Sequence, residues 1–266
     1  MLLKRIPLLI TLLTLSFTAN ADLLRLKQTY PDHIQAISNQ FIIWSDGTKM
    51  PVQEGKPNKT QQEKLDAPAL IDQVNDVCYT YRAINPSTFN PQDDPGRIRY
   101  EPFFRKMYGN SKEEVTANLI TLFWMPKYFG QRYPLQVTTV NGVDKKLMLI
   151  SHDLEDLVAI HPDYLPFLDN PGGTFSWRVI ANTNRLSPHS FGMTIDINSN
   201  LSDYWQWDLQ KEGAAITEDA KLTYRNRIPE AIVAIFEKYG FIWGGKWHHY
   251  DTMHFEYRPE LFCVKS

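Results

Sequence analysis

The chain has 266 residues, of which 43% are apolar and 13% aromatic, and its charged fraction of 22% is ordinary for a soluble protein. These values exclude a disordered chain and a coiled coil, and they allow a sizeable buried core. Without Lys4 and Arg5 the chain keeps 26 basic against 30 acidic residues, a formal charge near −4. A charge of this sign argues against a nucleic acid as partner.

The N-terminus has the pattern of an export signal. Lys4 and Arg5 precede an apolar run over residues 8–17, and the small-residue pattern Ala19-Asn20-Ala21 follows. The alternative is a short membrane anchor, but about 20 apolar residues are needed to span a bilayer. We therefore predict cleavage after residue 21, an exported product in the periplasm or outside the cell, and no stable membrane insertion afterwards.

The two cysteines of the chain, Cys78 and Cys263, would then both enter an oxidising compartment. A disulfide from the early region to the C-terminus and two buried free thiols are both compatible with the sequence, because spacing alone does not show whether the geometry permits a bond.

The first part of the chain holds one clear strand signal and two helix signals. The stretch "FIIWSDGTKM" predicts a strand that runs into a turn at Asp46-Gly47. "FFRKMYG" and "SKEEVTANLITLFW" predict helices, the second with Ser111 as N-cap and Glu114 in capping-box spacing. No flexible linker separates domains, so we expect an N-terminal extension over residues 22–110 that packs on a catalytic domain over residues 111–266.

The middle of the chain predicts a hairpin, a helix and a strand. Alternation over residues 135–150 with Asn141-Gly142 at its centre predicts a β-hairpin, and "SHDLEDLVAIH" predicts a helix that starts at Ser151. The loop "LDNPGGT" then precedes "FSWRVIA", which predicts a strand. Further on, "IPEAIVAIFEKYG" predicts an amphipathic helix over residues 229–239 that stops at Gly240.

Two short strands carry the residues with chemical potential. In "TIDIN" the alternation places Asp196 on the face opposite the two isoleucines, and Gly192 lets His189 fold back toward it. In "MHFEY" the same alternation places His254 and Glu256 on one face. Two histidines and one carboxylate with an open fourth position describe a catalytic zinc site. Asp251, three residues before His254, could then act as the general base.

These motifs resemble a known family. "SPHSFGMTIDIN" followed by "DTMHFE" is similar to the pattern of the D-alanyl-D-alanine metallopeptidases, which include carboxypeptidases, dipeptidases and phage L-alanyl-D-glutamate endopeptidases. The wider resemblance covers roughly residues 120–262. The family pattern usually has alanine where this chain has Thr194. An aspartate as the acid resembles the endopeptidase branch, without deciding which bond is cut.

The resemblance implies a role for each matching residue. His189, Asp196 and His254 correspond to the ligands of Zn²⁺, Asp251 to the acid that activates water, and Ser187 to the serine of the motif, where we expect it to contact substrate. An arginine upstream of the first histidine stabilises the oxyanion; Arg178 and Arg185 are both candidates, and either could instead hold a substrate carboxylate.

Two further residues remain open at this stage. One of His248 and His249 could face the site and contact substrate, and His248 is the one we predict. Glu256 could orient the imidazole of His254 or make an ordinary structural hydrogen bond.

The resemblance also implies an α+β fold in which a small antiparallel sheet carries the zinc site and helices pack against it. The expected substrate is peptidoglycan or its muropeptides. Two rivals stay open: a cell-wall peptide-binding module that kept the fold without turnover, and a non-haem iron oxygenase, since two histidines and a carboxylate also suit ferrous iron. Metal analysis distinguishes both from a zinc peptidase.

Overall fold

The computed structural model describes residues 21–81, 90, 94–181 and 183–263. The predicted export signal lies outside this range except for Ala21, which begins the first helix. Within the described ranges, no helix is long and apolar enough to cross a membrane.

The N-terminal part combines short helices with a small sheet. The helices are α1 (Ala21–Thr29), α2 (Gln61–Asp66), α3 (Leu70–Val74), α4 (Glu101–Tyr108) and α5 (Lys112–Ala117). Strands β1 (Ile34–Ile37), β2 (Phe41–Trp44) and β3 (Lys49–Pro51) form an antiparallel sheet in that order. The predicted strand and its turn at Asp46-Gly47 are confirmed, and "FFRKMYG" lies in α4 as expected.

The remaining elements form the C-terminal part. Its helices are α6 (Pro126–Phe129), α7 (Val143–Ile160), α8 (Leu165–Leu168), α9 (Trp205–Lys211) and α10 (Glu230–Lys238). Its strands are β4 (Leu119–Phe123), β5 (Pro134–Thr138), β6 (Pro171–Gly173), β7 (Thr194–Asn198), β8 (Phe241–Trp243) and β9 (His254–Tyr257). Helices packed on small antiparallel sheets confirm the predicted α+β class.

The four-stranded sheet has the order β6-β7-β9-β8, and all its pairs are antiparallel. Ile195 pairs with Phe255 across β7 and β9, and both side chains are buried on the core face. The ring of Phe255 stacks on Phe236 of α10 at a centroid distance of 3.8 Å. Because side chains alternate along a strand, the neighbours of these residues face the other side of the sheet.

The predicted hairpin over residues 135–150 is wrong. Asn141 and Gly142 do have the positive φ angles of a tight turn, but the chain leaves this turn as helix α7. The apolar residues of α7 recur every three or four positions and are buried together, which is the period of a helix rather than a strand: Val143, Leu147, Ile150, Leu154 and Val158. Strand β5 pairs with β4 instead, and Ser151 lies inside α7 rather than at its start.

Two further predictions need correction. The helix expected over "SKEEVTANLITLFW" begins after Ser111 as predicted but ends at Ala117, and "LITLF" is β4. Among the described residues, "FSWRVIA" makes an isolated bridge from Val179 to Leu186 rather than a strand. The hydroxyl of Ser190 instead bonds the backbone N–H and carbonyl of Arg178. The helix predicted over residues 229–239 is confirmed as α10.

The N-terminal residues are tied to the C-terminal end of the chain. Cys78 and Cys263 form a disulfide, which confirms the bonded alternative. Tyr79 continues this contact, because its backbone pairs with Leu261 and Cys263 and its hydroxyl donates to Glu237 at 2.5 Å. Tyr30 donates to Glu260 at 2.6 Å. Residues from both ends of the chain therefore share one buried core.

We expect the double variant Cys78→Ser/Cys263→Ser to lose about 2–4 kcal/mol of unfolding free energy, because the disulfide closes a long loop and restricts the unfolded chain. Urea unfolding with and without reductant measures this. Reductant should lower the midpoint of the parent protein and leave that of the double variant unchanged. Equal midpoints for the parent and the double variant would contradict a stabilising disulfide.

A second prediction concerns the turn after His189. Gly192 has φ +64°, and a Cβ there would lie 2.6 Å from Leu119 Cδ2, whereas Gly213 has φ +67° and open space around it. Gly213→Ala should cost about 1 kcal/mol from the left-handed backbone. Gly192→Ala should cost roughly 1–3 kcal/mol more from overpacking. Thermal unfolding of the two variants tests this, and equal losses would show that the close approach is unimportant.

Candidate metal centre and active site

The register of β7 and β9 brings together two of the three predicted metal ligands. Asp196 pairs directly with His254, so their side chains lie on the same face of the sheet. The third, His189, lies in a 3-10 turn over residues 188–191 that Gly192 closes in a left-handed conformation. The structure thus brings a residue from a turn and one from each of two strands to one place.

The three side chains lie close enough to share one cation. One ligand atom of each of His189, Asp196 and His254 lies within 4.8 Å of the others. His189 Nε2 is 3.2 Å from one carboxylate oxygen of Asp196, and His254 Nδ1 is 2.9 Å from the other. Both histidines are only 6% exposed. Two imidazoles and a carboxylate in this arrangement could hold a divalent metal ion.

Hydrogen bonds at the far side of His189 orient its ring. His189 Nδ1 is 3.0 Å from the carbonyl oxygen of Thr174, to which an Nδ1–H donates, and this leaves Nε2 directed at Asp196. The hydroxyl of Thr194 donates to the same carbonyl at 3.4 Å. Thr194, where the family pattern usually has alanine, is therefore buried beside His189.

Glu256 orients the ring of His254. Its carboxylate is 3.4 Å from His254 Nε2, which leaves Nδ1 directed at Asp196. Arg99 donates two hydrogen bonds to Glu256, at 3.1 and 2.5 Å, and Arg258 donates one at 3.0 Å. Burial alone would raise the pKa of Glu256, but Arg99, His254 and Arg258 together lower it well below its usual value. The structure supports the orienting role for Glu256, since such partners keep ligand geometry in metal sites.

The neighbours of Asp196 favour the charged form of its carboxylate. Burial alone would raise the pKa of Asp196, but the charges and hydrogen bonds of His189 and His254 lower it below its usual value. Burial would lower the pKa of His254, and its hydrogen bonds to Asp196 and Glu256 raise it instead. Asp196 and His254 therefore each favour the charged form of the other.

Asp251 lies beside this cluster with a carboxylate oxygen that has no partner. Its Oδ1 is buried and accepts no hydrogen bond from the described residues. Burial and the negative charge of Asp196 raise the pKa of Asp251. A buried carboxylate without a counter-ion is costly, and a divalent cation held by the neighbouring ligands would relieve that cost. The residues present therefore fit a metal ion.

The two candidate arginines both lack a carboxylate partner in the described part of the chain. The backbone of Arg178 bonds the turn that carries His189: Ser187 N donates to Arg178 O at 2.9 Å, and Arg178 N donates to Ser190 Oγ at 3.1 Å. Arg185 donates at 3.4 Å to the carbonyl of Leu65, and its Nε is buried without a partner.

Two arginines and two carboxylates, Arg97, Arg99, Asp66 and Glu218, lie near Arg185. Burial, followed by the charges of Arg97 and Arg99, lowers the pKa of Arg185. Arg97 and Arg99 are already paired with carboxylates, those of Glu218 and Glu256. Of Arg97, Arg99 and Arg185, Arg185 is the arginine without a carboxylate partner among the described residues, and its Nε–H has no acceptor.

The two predicted substrate contacts, Ser187 and His248, lie in buried or half-buried positions. Ser187 is 2% exposed and starts the turn of His189, where its side chain does not cap the turn. The half-buried ring of His248 packs edge-on against His249 at a centroid distance of 4.9 Å.

A second charged cluster braces the segment before Asp251, and the sequence contained no signal for it. His249 Nδ1 is 2.6 Å from the carboxylate of Asp94, and its Nε2 is 3.0 Å from the carbonyl of Glu218. Arg97 bridges Asp94 and Glu218 with three hydrogen bonds of 2.7 to 2.9 Å. Asp94 and Arg97 come from the N-terminal extension, as does Arg99, and only the fold brings them here.

A comparison with known families matches one segment of the chain. Residues 181–257 match the family model described as D-alanyl-D-alanine carboxypeptidase. No curated protein and no solved structure matches. The matched segment contains His189, Asp196, Asp251 and His254, while Arg178 and the N-terminal extension lie outside it. Residues 181–257, which contain the His/Asp/His group, are therefore similar to the D-alanyl-D-alanine carboxypeptidase family.

Proposed function

We propose that this protein is an exported zinc peptidase that hydrolyses amide bonds in the stem peptides of peptidoglycan. The family supports a peptidase for peptidoglycan peptides. The observation that carries the proposal is the unpartnered Oδ1 of Asp251 beside the His189, Asp196 and His254 group.

Zinc suits the donor set. Two imidazole nitrogens and one carboxylate leave a fourth position open, which is typical of catalytic rather than structural zinc sites. Bound in this site, zinc would lower the pKa of a coordinated water to about 7 and polarise the substrate carbonyl.

The protein's own groups supply the proton transfers. Asp251 takes a proton from the attacking water as its oxygen bonds to the amide carbon. Asp251 then returns this proton to the nitrogen of the leaving amine as the C–N bond breaks. The raised pKa of Asp251 suits a group that must both accept and release a proton near neutral pH.

Arg178 and Arg185 have different roles in this proposal. Arg178, bonded through its backbone to the turn of His189, stabilises the oxygen that becomes negative during attack. Arg185, buried near two other arginines and without an anion, binds a carboxylate of the stem peptide. Stem peptides carry free carboxylates, so the positive side of the site matches this substrate class.

Two features support export. The first is the charged, apolar and small-residue pattern of residues 1–21. The second is the disulfide between Cys78 and Cys263, since such bonds persist in oxidising compartments.

Metal binding tests the first half of the proposal. His189→Ala and His254→Ala should each remove most of the bound zinc, because two ligands do not hold the ion tightly. His152→Ala is the control, since this histidine is 69% exposed on α7. Metal content after dialysis, measured by mass spectrometry, gives the result. Equal zinc in all three variants, or iron in place of zinc, would contradict the assignment.

Digestion of purified muropeptides tests the second half. The zinc-loaded protein should release either a terminal D-alanine or a stem fragment, and mass spectrometry of the products separates a carboxypeptidase from an endopeptidase. Asp251→Asn should lower the rate about 10²- to 10⁴-fold, because it removes the general base. Asp156→Asn, at a residue whose side chain is 61% exposed, should leave the rate unchanged.

Chelation of the metal should abolish activity, and added zinc should restore it. Hydrolysis that survives in Asp251→Asn would exclude this residue as the base. No product from the zinc-loaded parent protein would favour a binding module without turnover.

A further inference from the structure

Tyr204 faces Asp251 across a short antiparallel contact. The two residues form an isolated bridge. The flanking backbone bonds run from Trp205 N to Tyr250 O at 3.0 Å and from Thr252 N to Asp203 O at 2.9 Å. Tyr204 and Asp251 are therefore a non-hydrogen-bonded pair, in which side chains lie on the same face and closest together. The phenol is on the side of the predicted general base.

The ring of Tyr204 is held in place by its neighbours. It packs edge-on against Trp205 at 6.3 Å and against Trp207 at 5.5 Å between centroids. Trp205 is 3% exposed and belongs to a small core with Leu209 and Tyr250. The aromatic ring therefore has a structural role that does not require its hydroxyl.

The hydroxyl of Tyr204 is an available donor. Among the described residues it makes no hydrogen bond, and it is not a buried unsatisfied atom. Burial and then the negative charge of Asp251 raise the pKa of Tyr204, while Arg97 and Arg178 lower it. The phenol thus keeps its proton at neutral pH. It interacts electrostatically with both the carboxylate of Asp251 and the guanidinium of Arg178.

The Tyr204 hydroxyl and the Arg178 guanidinium can both donate hydrogen bonds, and neither has an acceptor in the described part of the chain. Unpartnered donors of this kind stabilise an oxygen that gains negative charge, and Tyr204 places one next to the predicted general base. The charge of Arg178 acts on Tyr204, whereas the charges that act on Arg185 are those of Arg97, Arg99, Asp66 and Glu218. Arg97 and Glu218 act on both Tyr204 and Arg185, so the distinction between the two arginines is the interaction of Arg178 with Tyr204.

We propose that the Tyr204 hydroxyl is a second hydrogen-bond donor, beside Arg178, to the carbonyl oxygen of the scissile amide, and that it stabilises this oxygen as negative charge develops on it. The inference rests on the proposed peptidase function, because it needs a substrate carbonyl at the site. It adds a catalytic contact from the segment before α9.

The test compares Tyr204→Phe with Tyr164→Phe in the zinc-loaded full-length mature protein, with a stem peptide as substrate. Tyr204→Phe removes the hydroxyl and keeps the ring packing. Tyr164→Phe is matched, because Tyr164 is also half-buried and packs against a neighbouring ring, that of His161. Zinc content and the unfolding temperature should match the parent protein in both variants.

We expect Tyr204→Phe to lower kcat on the order of 100-fold, as removal of one oxyanion donor does, with less than about a threefold change in KM. Tyr164→Phe should retain the kcat of the parent protein. Calorimetry should also show weaker binding of a phosphinate peptide, whose tetrahedral phosphorus resembles the reacting carbon, to Tyr204→Phe by a similar factor.

Three outcomes would overturn the inference. An unchanged kcat in Tyr204→Phe would show that the hydroxyl does not act in the reaction. A raised KM with an unchanged kcat would show that it binds substrate without stabilising the transition state. No hydrolysis by the parent protein would overturn the proposed function and the inference together, whereas the first two outcomes leave the proposed function intact.

Discussion

The pairing of β7 with β9 is the constraint on which the site depends. Asp196 sits opposite His254, and Ile195 sits opposite Phe255. A shift of either strand by one residue would turn its polar side chain into the core and its apolar side chain toward the site. Burial of Phe255 against Phe236 of α10 therefore also determines where the ligands point. The hydrophobic core and the candidate metal centre are two faces of the same strand pair.

The buried charges around this strand pair are neutralised by a series of contacts between oppositely charged side chains. The ligand cluster contacts Glu256, Glu256 contacts Arg99 and Arg258, and Arg258 donates to Glu260 at 2.6 Å. Removing one member of such a chain leaves an uncompensated charge in the interior, which costs more than the interaction itself contributes. The network thus makes the orientation of His254 depend on residues far from it in sequence.

The N-terminal extension contributes directly to this arrangement. Arg99 holds Glu256, and Asp94 and Arg97 hold His249, which precedes Asp251 by two residues. The disulfide and Tyr79 attach the same extension to the C-terminal end. The extension is therefore part of the structure that positions the site, although the family match begins only at residue 181.

Local patterns in the sequence were sufficient for several features. Strict alternation in "TIDIN" and "MHFEY" identified β7, β9 and the faces of Asp196 and His254, and the apolar spacing with a final glycine identified α10. The Asn141-Gly142 signal misled, because a two-residue pattern reports a turn and not the element that follows it. The turn is present, but helical periodicity in the next eighteen residues determines what comes after.

Tertiary structure decided what depends on contacts between distant residues. The sequence by itself determined the ligand types, their strand faces and the presence of Asp251, because these follow from local alternation and motif spacing. Only the fold could bring Arg99 to Glu256, Asp94 to His249 and Tyr204 to Asp251, because these pairs are 157, 155 and 47 positions apart. An ion pair or a bridge between such residues produces no local sequence pattern, because the two partners become neighbours only when the chain folds.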